Sequence, residues 1–302
     1  KKKSKNEVKP EFYKKLPSSL KEINITGGEP FLRRDLPAII KNIKQASPKA
    51  RIIISTNGFL TQSIKKIVPQ LISLDSRIGI RISLDGREKI HNKIRGVYGG
   101  YQKALASLRF LQPLVKDLGI GFTLMEMNKK ELLEMWRFCQ KNDLELSLSL
   151  VSNSSIYFGG NKIKLRPKKD KQIKKIFNQL VKRQYQSIKF KDWIRAWFNQ
   201  NLYDFFITGK RQLVCDAGKG FFYLDPYGRI YACHLKNWYL GNLKEDSFSK
   251  IYFSSKAKKI RSKAKKCNGC WMSCSTRNKM KENLLLISSK VFFNKIKNVL
   301  LK

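Results

Sequence analysis

The sequence predicts an α/β protein built on a parallel sheet, open or closed into a barrel, followed by a small cysteine-rich α+β domain. Short runs rich in Ile, Leu and Val alternate with amphipathic stretches through the first half, the rhythm of successive βαβ units. Five of the six cysteines fall in the last third of the chain. Just ahead of the last three, two β-type runs flank an Asp225-Pro226-Tyr227-Gly228 turn, which reads as a hairpin because Pro and Gly supply the turn geometry.

The elements follow in order. Strands are expected at Lys21–Thr26, Arg51–Thr56, Arg77–Leu84, Gly119–Met125 and Leu144–Val151, with helices at Arg34–Gln45, Thr61–Ser73, Tyr98–Lys116 and Lys129–Lys141 between them. Leu105, Leu108 and Leu111 recur at helical spacing. From Pro167 to Ile207 the pattern is a basic helix or helix pair, in which Trp193 and Trp197 mark a packed face. Phe221–Leu224 and Ile230–His234 form the hairpin, and a helix is expected over Phe248–Lys265. The tail, Asn278–Lys302, reads as a basic amphipathic helix that packs on its own domain, with a membrane surface as the alternative.

Composition narrows the classes. The 302 residues are 42% hydrophobic, enough for a buried core, and no run of about 18 uncharged apolar residues supports a membrane span. Lys1 to Glu7 is basic without an apolar segment behind it, so it does not read as a signal peptide. Lysine and arginine number 63 against 22 acidic residues, a net charge of +41. They are scattered along the whole chain, a solvated surface bias that carries non-specific polyanion binding. Clustered thiols in a long chain without a signal argue for metal ligation in a reducing compartment, hence a cytoplasmic protein.

In a parallel layout the residues after each strand project from the C-terminal edge of the sheet, where such folds bind ligands. Those residues are Gly27-Gly28-Glu29-Pro30, Asn57-Gly58, Asp85-Gly86 and Glu126 to Asn128. Two glycines directly after a strand let a ligand approach backbone N–H and carbonyl groups. The string Ile25 to Leu36 (ITGGEPFLRRDL) resembles the GGEP motif of the radical S-adenosylmethionine (SAM) superfamily. Ser55-Thr56-Asn57-Gly58, Ile82-Ser83-Leu84-Asp85-Gly86 and Ile90-His91-Asn92-Lys93-Ile94-Arg95-Gly96 resemble the family's STNG, SLDG and IHDxxRG segments, in the family's order. The resemblance implies that Gly27, Gly28, Glu29 and Pro30 hold the amino end of the SAM methionine, with Ser55 and Asn57 beside them. It places Ser83 and Asp85 near the ribose and carboxylate, and Arg95 near the same pocket. It implies a partial (β/α)6 TIM-like barrel missing its first βα unit.

Cys215, twelve residues, Gly228, four residues and Cys233 match the opening of the SPASM/Twitch extension found after many radical SAM barrels, and Gly241-Asn242-Leu243 resembles its GNL segment. Cys267-x2-Cys270-x3-Cys274 would close the site. Thiolates in this number suit an iron–sulfur cluster or a zinc ion. Since a full SPASM domain carries more cysteines and two clusters, the resemblance implies one auxiliary [4Fe–4S] cluster, with Cys215, Cys233, Cys267, Cys270 and Cys274 as candidate ligands. Cys139 lies among Leu132, Leu133 and Trp136 and is expected in the core. His234, beside Cys233, is a candidate ligand or proton carrier, and equally a structural imidazole.

The expected division is barrel 1–165, helical connector 166–210, auxiliary domain 211–276 and tail 277–302. The family's catalytic cluster needs a C-x3-C-x2-C loop before GGEP, and no cysteine precedes Cys139. The chain is therefore expected to be an N-terminally truncated or degenerate member, inactive as it stands. In the complete protein a second [4Fe–4S] cluster and SAM would generate a radical that abstracts hydrogen from an unknown substrate. Peptides are a candidate class, and a reduced ferredoxin or flavodoxin a candidate electron donor. The rival readings are a non-catalytic nucleic-acid-binding protein with a structural zinc site and a degenerate radical SAM scaffold.

Overall fold

The computed structural model describes residues 7–152 and 165–300. Five strands, β1 (Glu22–Ile25), β2 (Arg51–Thr56), β3 (Gly79–Ser83), β4 (Asp117–Leu124) and β5 (Glu145–Leu150), form one parallel sheet in the order of the chain. Helices α1 (Leu36–Ala46), α2 (Thr61–Leu74), α3 (Glu88–Arg95), α4 (Gly100–Leu111) and α5 (Leu132–Lys141) lie between them. This is a half-barrel with helices outside, a partial TIM-like barrel.

Alternation along the strands decides which face the helices cover. Ile52, Ile54, Ile80, Ile82, Ile120 and Phe122 are buried and belong to the core with Ile40, Ile64 and Leu71 of the helices, because successive strand residues point to opposite faces. Gly119, whose added Cβ would meet the Glu145 backbone, and Gly121 keep the other face of β4 low.

Two boundaries moved for identifiable reasons. The stretch expected as one helix over Tyr98–Lys116 runs only from Gly100 to Leu111, since Gly96 (φ 62°) and Gly99 (φ 67°) take left-handed conformations ahead of it. The segment before it makes a helix of its own, α3. The strand expected at Arg77–Leu84 begins at Gly79, because Arg77 pairs with Asp75 in the preceding turn at 2.9 Å.

Beyond the sheet, helices α6 (Lys171–Gln186) and α7 (Phe190–Thr208) pack on each other as the expected pair. The hairpin strands β6 (Tyr223–Leu224) and β7 (Arg229–Tyr231) gain a third partner, β8 (Tyr239–Asn242), which ends within the Gly241-Asn242-Leu243 segment. Cys233 was expected on the second hairpin strand and instead lies just past its end. The helix expected over Phe248–Lys265 is broken at Ser254, whose Oγ caps the second half by accepting from the Ala257 N–H at 3.1 Å. The helix Ser273–Glu282 runs through the boundary expected at 276, and Leu284–Leu300 completes the described chain.

Candidate functional site

The loops after β1 and β2 are tied to each other at the C-terminal edge of the sheet, and the loop after β3 lies at the same edge. Gly27 has φ 143°, which an L side chain rarely adopts, and a Cβ added at Gly27 or Gly28 would meet no protein atom within 4 Å. Both backbones therefore face open space, a cradle that any larger side chain would fill. Glu29 turns the other way. Its carboxylate accepts from Thr56 Oγ1 at 2.7 Å, the Asn57 N–H at 2.8 Å and the Phe31 N–H at 3.2 Å. It therefore staples the β1 loop to the end of β2, and Thr56, nearly buried, is the partner that sequence reasoning missed. Asn57 accepts from the Phe59 N–H at 2.8 Å, closing a local turn at Gly58 (φ 75°).

Asp85 is also committed to the protein. It is 1% exposed, pairs with Arg95 Nη2 at 2.6 Å and accepts from the Thr123 N–H at 2.9 Å. Burial raises its carboxyl above the usual range while Arg95 pulls the other way. His91 Nδ1 accepts from the Asp85 N–H at 3.2 Å, so the proton of the neutral ring sits on Nε2, which has no partner among the described residues. His91 and Arg95 stand one helical turn apart on α3 and clasp the same residue. Burial first, then the Arg95 charge, hold the imidazole down to about 4. The spacing His91-x3-Arg95 was visible in the sequence, but what the histidine grips was not.

Ser55 and Ser83 lie on the face of the sheet away from the core helices, with Thr123 and Ser149, whose hydroxyls are 3.5 Å apart. Ser147 on the same face is exposed. The other end of this face carries a chain of ion pairs with one member from each neighbouring strand: Arg51 with Glu22 (3.5 Å) and with Asp117, then Arg81 with Asp117 (2.6 Å) and Glu145 (3.1 Å). Arg195 of α7 joins at Glu145 (2.5 Å), and Arg277, three residues past Cys274, pairs with Glu22.

In the C-terminal domain Cys215, Cys233, Cys267 and Cys270 line one small cavity with Phe221, His234, Leu235 and Trp238. The Leu235 N–H donates to Cys233 Sγ and the Gly269 N–H to Cys267 Sγ, both at 3.3 Å. Arg211, unmarked in the sequence reading, binds the cysteine loop: it donates to the Ser275 carbonyl at 2.9 Å, points Nη1 at Cys270 Sγ from 3.7 Å, and lies over the Trp271 ring. Burial pushes the thiols of Cys215, Cys233 and Cys270 up, and that of Cys274 to about 12. After burial, the charges of Cys270 and Cys233 raise the Cys274 thiol further, and Cys274 is not among the residues lining the cavity. Burial lowers the His234 pKa. Cys139 is fully buried with its thiol raised to about 12, the expected core residue. Among the described residues no three Cys, His, Asp or Glu side chains stand close enough to share one metal ion.

Residues 2–139 match the model of the Radical SAM superfamily, and residues 215–271 match SPASM, an iron–sulfur cluster-binding domain. Pre-heme d1 synthase of Dinoroseobacter shibae is 33% identical over 122 residues, 40% of this chain and 29% of that protein. The sporulation killing factor maturation protein SkfB of Bacillus subtilis is 21% identical over 253 residues, 82% of this chain and 56% of its own. The chain thus spans between under a third and just over half of these curated relatives. The solved structure of anSMEcpe with bound AdoMet and a Cp18Cys peptide superposes with a TM-score of 0.58 at 14% identity, over 93% of this chain and 89% of that one, a likeness of fold.

Proposed function

Because the chain belongs to the radical SAM superfamily and carries a C-terminal SPASM domain, we propose that it is the core of an enzyme that binds SAM at the Gly27–Gly28 cradle and abstracts hydrogen from a peptide. The observation that carries this reading is the convergence of the β1, β2 and β3 loops on one sheet edge, with an open cradle at two glycines. Reductive cleavage of SAM supplies the radical chemistry in this family. The chain's own residues bind and orient. Backbone groups of Gly27 and Gly28 hold the methionine end, and Glu29 fixes the cradle by its three hydrogen bonds. Arg95, held by Asp85, offers its remaining guanidinium donors toward a carboxylate. Asp85 thus acts through Arg95 rather than by touching ligand, a narrower role than the sequence implied.

Four thiols around one cavity fit the auxiliary [4Fe–4S] cluster. Each iron takes one thiolate, so the sulfurs stand further apart than around a single ion, and N–H groups already aimed at sulfur suit thiolate ligands. Cys215, Cys233, Cys267 and Cys270 are the proposed ligands, with Cys274 outside the set. This chemistry favours a cluster over the zinc alternative. A polar inner face bearing Ser83, Thr123, Ser147 and Ser149 offers hydrogen bonds to a peptide backbone, whereas a tetrapyrrole would call for an apolar one. SkfB, matched along most of this chain, is a maturation protein of a killing factor, which favours the same class. The net charge of +41 favours an acidic electron carrier such as a reduced ferredoxin or flavodoxin.

Anaerobic reconstitution with iron and sulfide tests the cluster. The chain should turn brown, with absorption near roughly 400 nm; Cys270→Ser should lose that iron, and Cys274→Ser should keep it. Equilibrium dialysis against labelled SAM tests the cradle, with Glu29→Ala weakening binding about tenfold or more. A colourless protein that takes up zinc instead, or SAM binding untouched by Glu29→Ala, would overturn the proposal.

A further inference from the structure

Among its described side chains, the helix Leu284–Leu300 is packed on one side. Ile287 and Val291 are buried, and the helix contacts α6 and α7. Asn294 donates to Tyr185 Oη at 3.3 Å, and Lys295 Nζ donates to the carbonyls of Tyr185 and Ser187 at 3.0 Å each while lying over the Trp193 ring. Its first half and middle present two apolar rows to the outside. Leu285 and Phe292, and Leu286 and Phe293, stand seven residues apart and therefore align along the axis; Leu285 is 89% exposed and Phe293 68%. The turn gripped by Lys295 adds Ile188, 93% exposed, and Phe190. Scattered single apolar residues on a surface need no explanation, but large ones grouped around one helix do.

We propose that this face docks on an anionic membrane surface, lying in the interface without crossing it. The chemistry of the surroundings selects that occupant. Residues 283–302 contain four lysines, of which Lys295 is turned onto backbone carbonyls, and no Asp or Glu; Lys189 and Lys191, which flank the exposed turn, are paired with Asp143 and Glu145, and the chain as a whole carries +41. A partner must therefore be anionic and also able to bury leucine and phenylalanine side chains. Nucleic acid meets the first demand and not the second. An anionic bilayer meets both, because its headgroups attract the lysines and its acyl boundary takes the apolar rows. Among the described residues no helix is long and apolar enough to cross a membrane, so the attachment is interfacial. It is independent of the SAM chemistry and would place that chemistry at a membrane surface.

The test is co-sedimentation of the chain with phosphatidylcholine vesicles containing about 30% phosphatidylglycerol, beside vesicles of phosphatidylcholine alone, at near-physiological salt. Binding to the anionic vesicles is expected, falling about tenfold in the double variant Leu285→Ser/Phe292→Ser. Both sites are exposed, so the variant should keep the wild-type circular dichroism. In a second measurement, Phe293→Trp should show a blue-shifted emission on adding anionic vesicles and none on adding heparin. Three results would overturn the docking: no binding to anionic vesicles; equal binding by the double variant, which would reduce the effect to lysine electrostatics; or a self-association abolished by the variant, which would show that a second copy covers this face.

Discussion

Acidification should weaken this fold through His91. The imidazole is fully buried, accepts from the Asp85 N–H at 3.2 Å, and is held down to about 4 from 6.5 by burial and by Arg95. The unfolded chain binds a proton on this ring below about pH 6.5, whereas the folded chain resists until about pH 4, so stability is full above the window and falls as pH drops through it. A shift of that size corresponds to about 3 kcal/mol in all, and to about 2 kcal/mol between about pH 7 and pH 4.5. Asp85 works in the opposite sense, since its raised carboxyl takes a proton more readily in the folded state. The comparison must therefore be between the wild type and His91→Asn, which keeps an acceptor near the Nδ1 position and cannot titrate. Urea unfolding at the two pH values should show a loss about 2 kcal/mol larger in the wild type. Equal pH dependence in the two proteins, or an imidazole NMR titration near 6.5, would refute the burial and clasp assigned to His91.

Further expectations follow from the same contacts. A double-mutant cycle on Asp85→Asn and Arg95→Gln should give a coupling of about 1–2 kcal/mol, below the value for a fully buried pair because Arg95 is 28% exposed; additive effects would dissolve the pair. Cys139, with its thiol at about 12 and no exposure, should resist iodoacetamide in the native protein and react only on unfolding. Early alkylation would contradict its place in the core. Arg211→Leu should leave SAM binding unchanged and speed the loss of iron to a chelator, because the cysteine loop loses the donor that ties Ser275 and faces Cys270; unchanged chelation kinetics would count against that role.

Much of the architecture was legible because it depends on local pattern. Short apolar runs rich in Ile, Leu and Phe placed β2 and β4 within two residues of their observed limits. The Asp225–Gly228 turn marked the hairpin because its residue types fix its conformation. Gly27, Gly28 and Glu29 could be named from their resemblance to a family motif, and so could five candidate thiols, of which four line the cavity. What those residues hold could not. Thr56 lies 27 residues from Glu29, Thr123 lies 38 from Asp85, and Arg211 lies 59 from Cys270. No periodicity connects such pairs, and only the closing of the sheet and the packing of the auxiliary domain bring them together. The same reason separates apolar residues that look alike in the sequence of one helix. Ile287 and Val291 of the last helix are buried, while Leu285 and Phe293 are exposed, because the position of α6 and α7 decides which side of an apolar helix finds a partner.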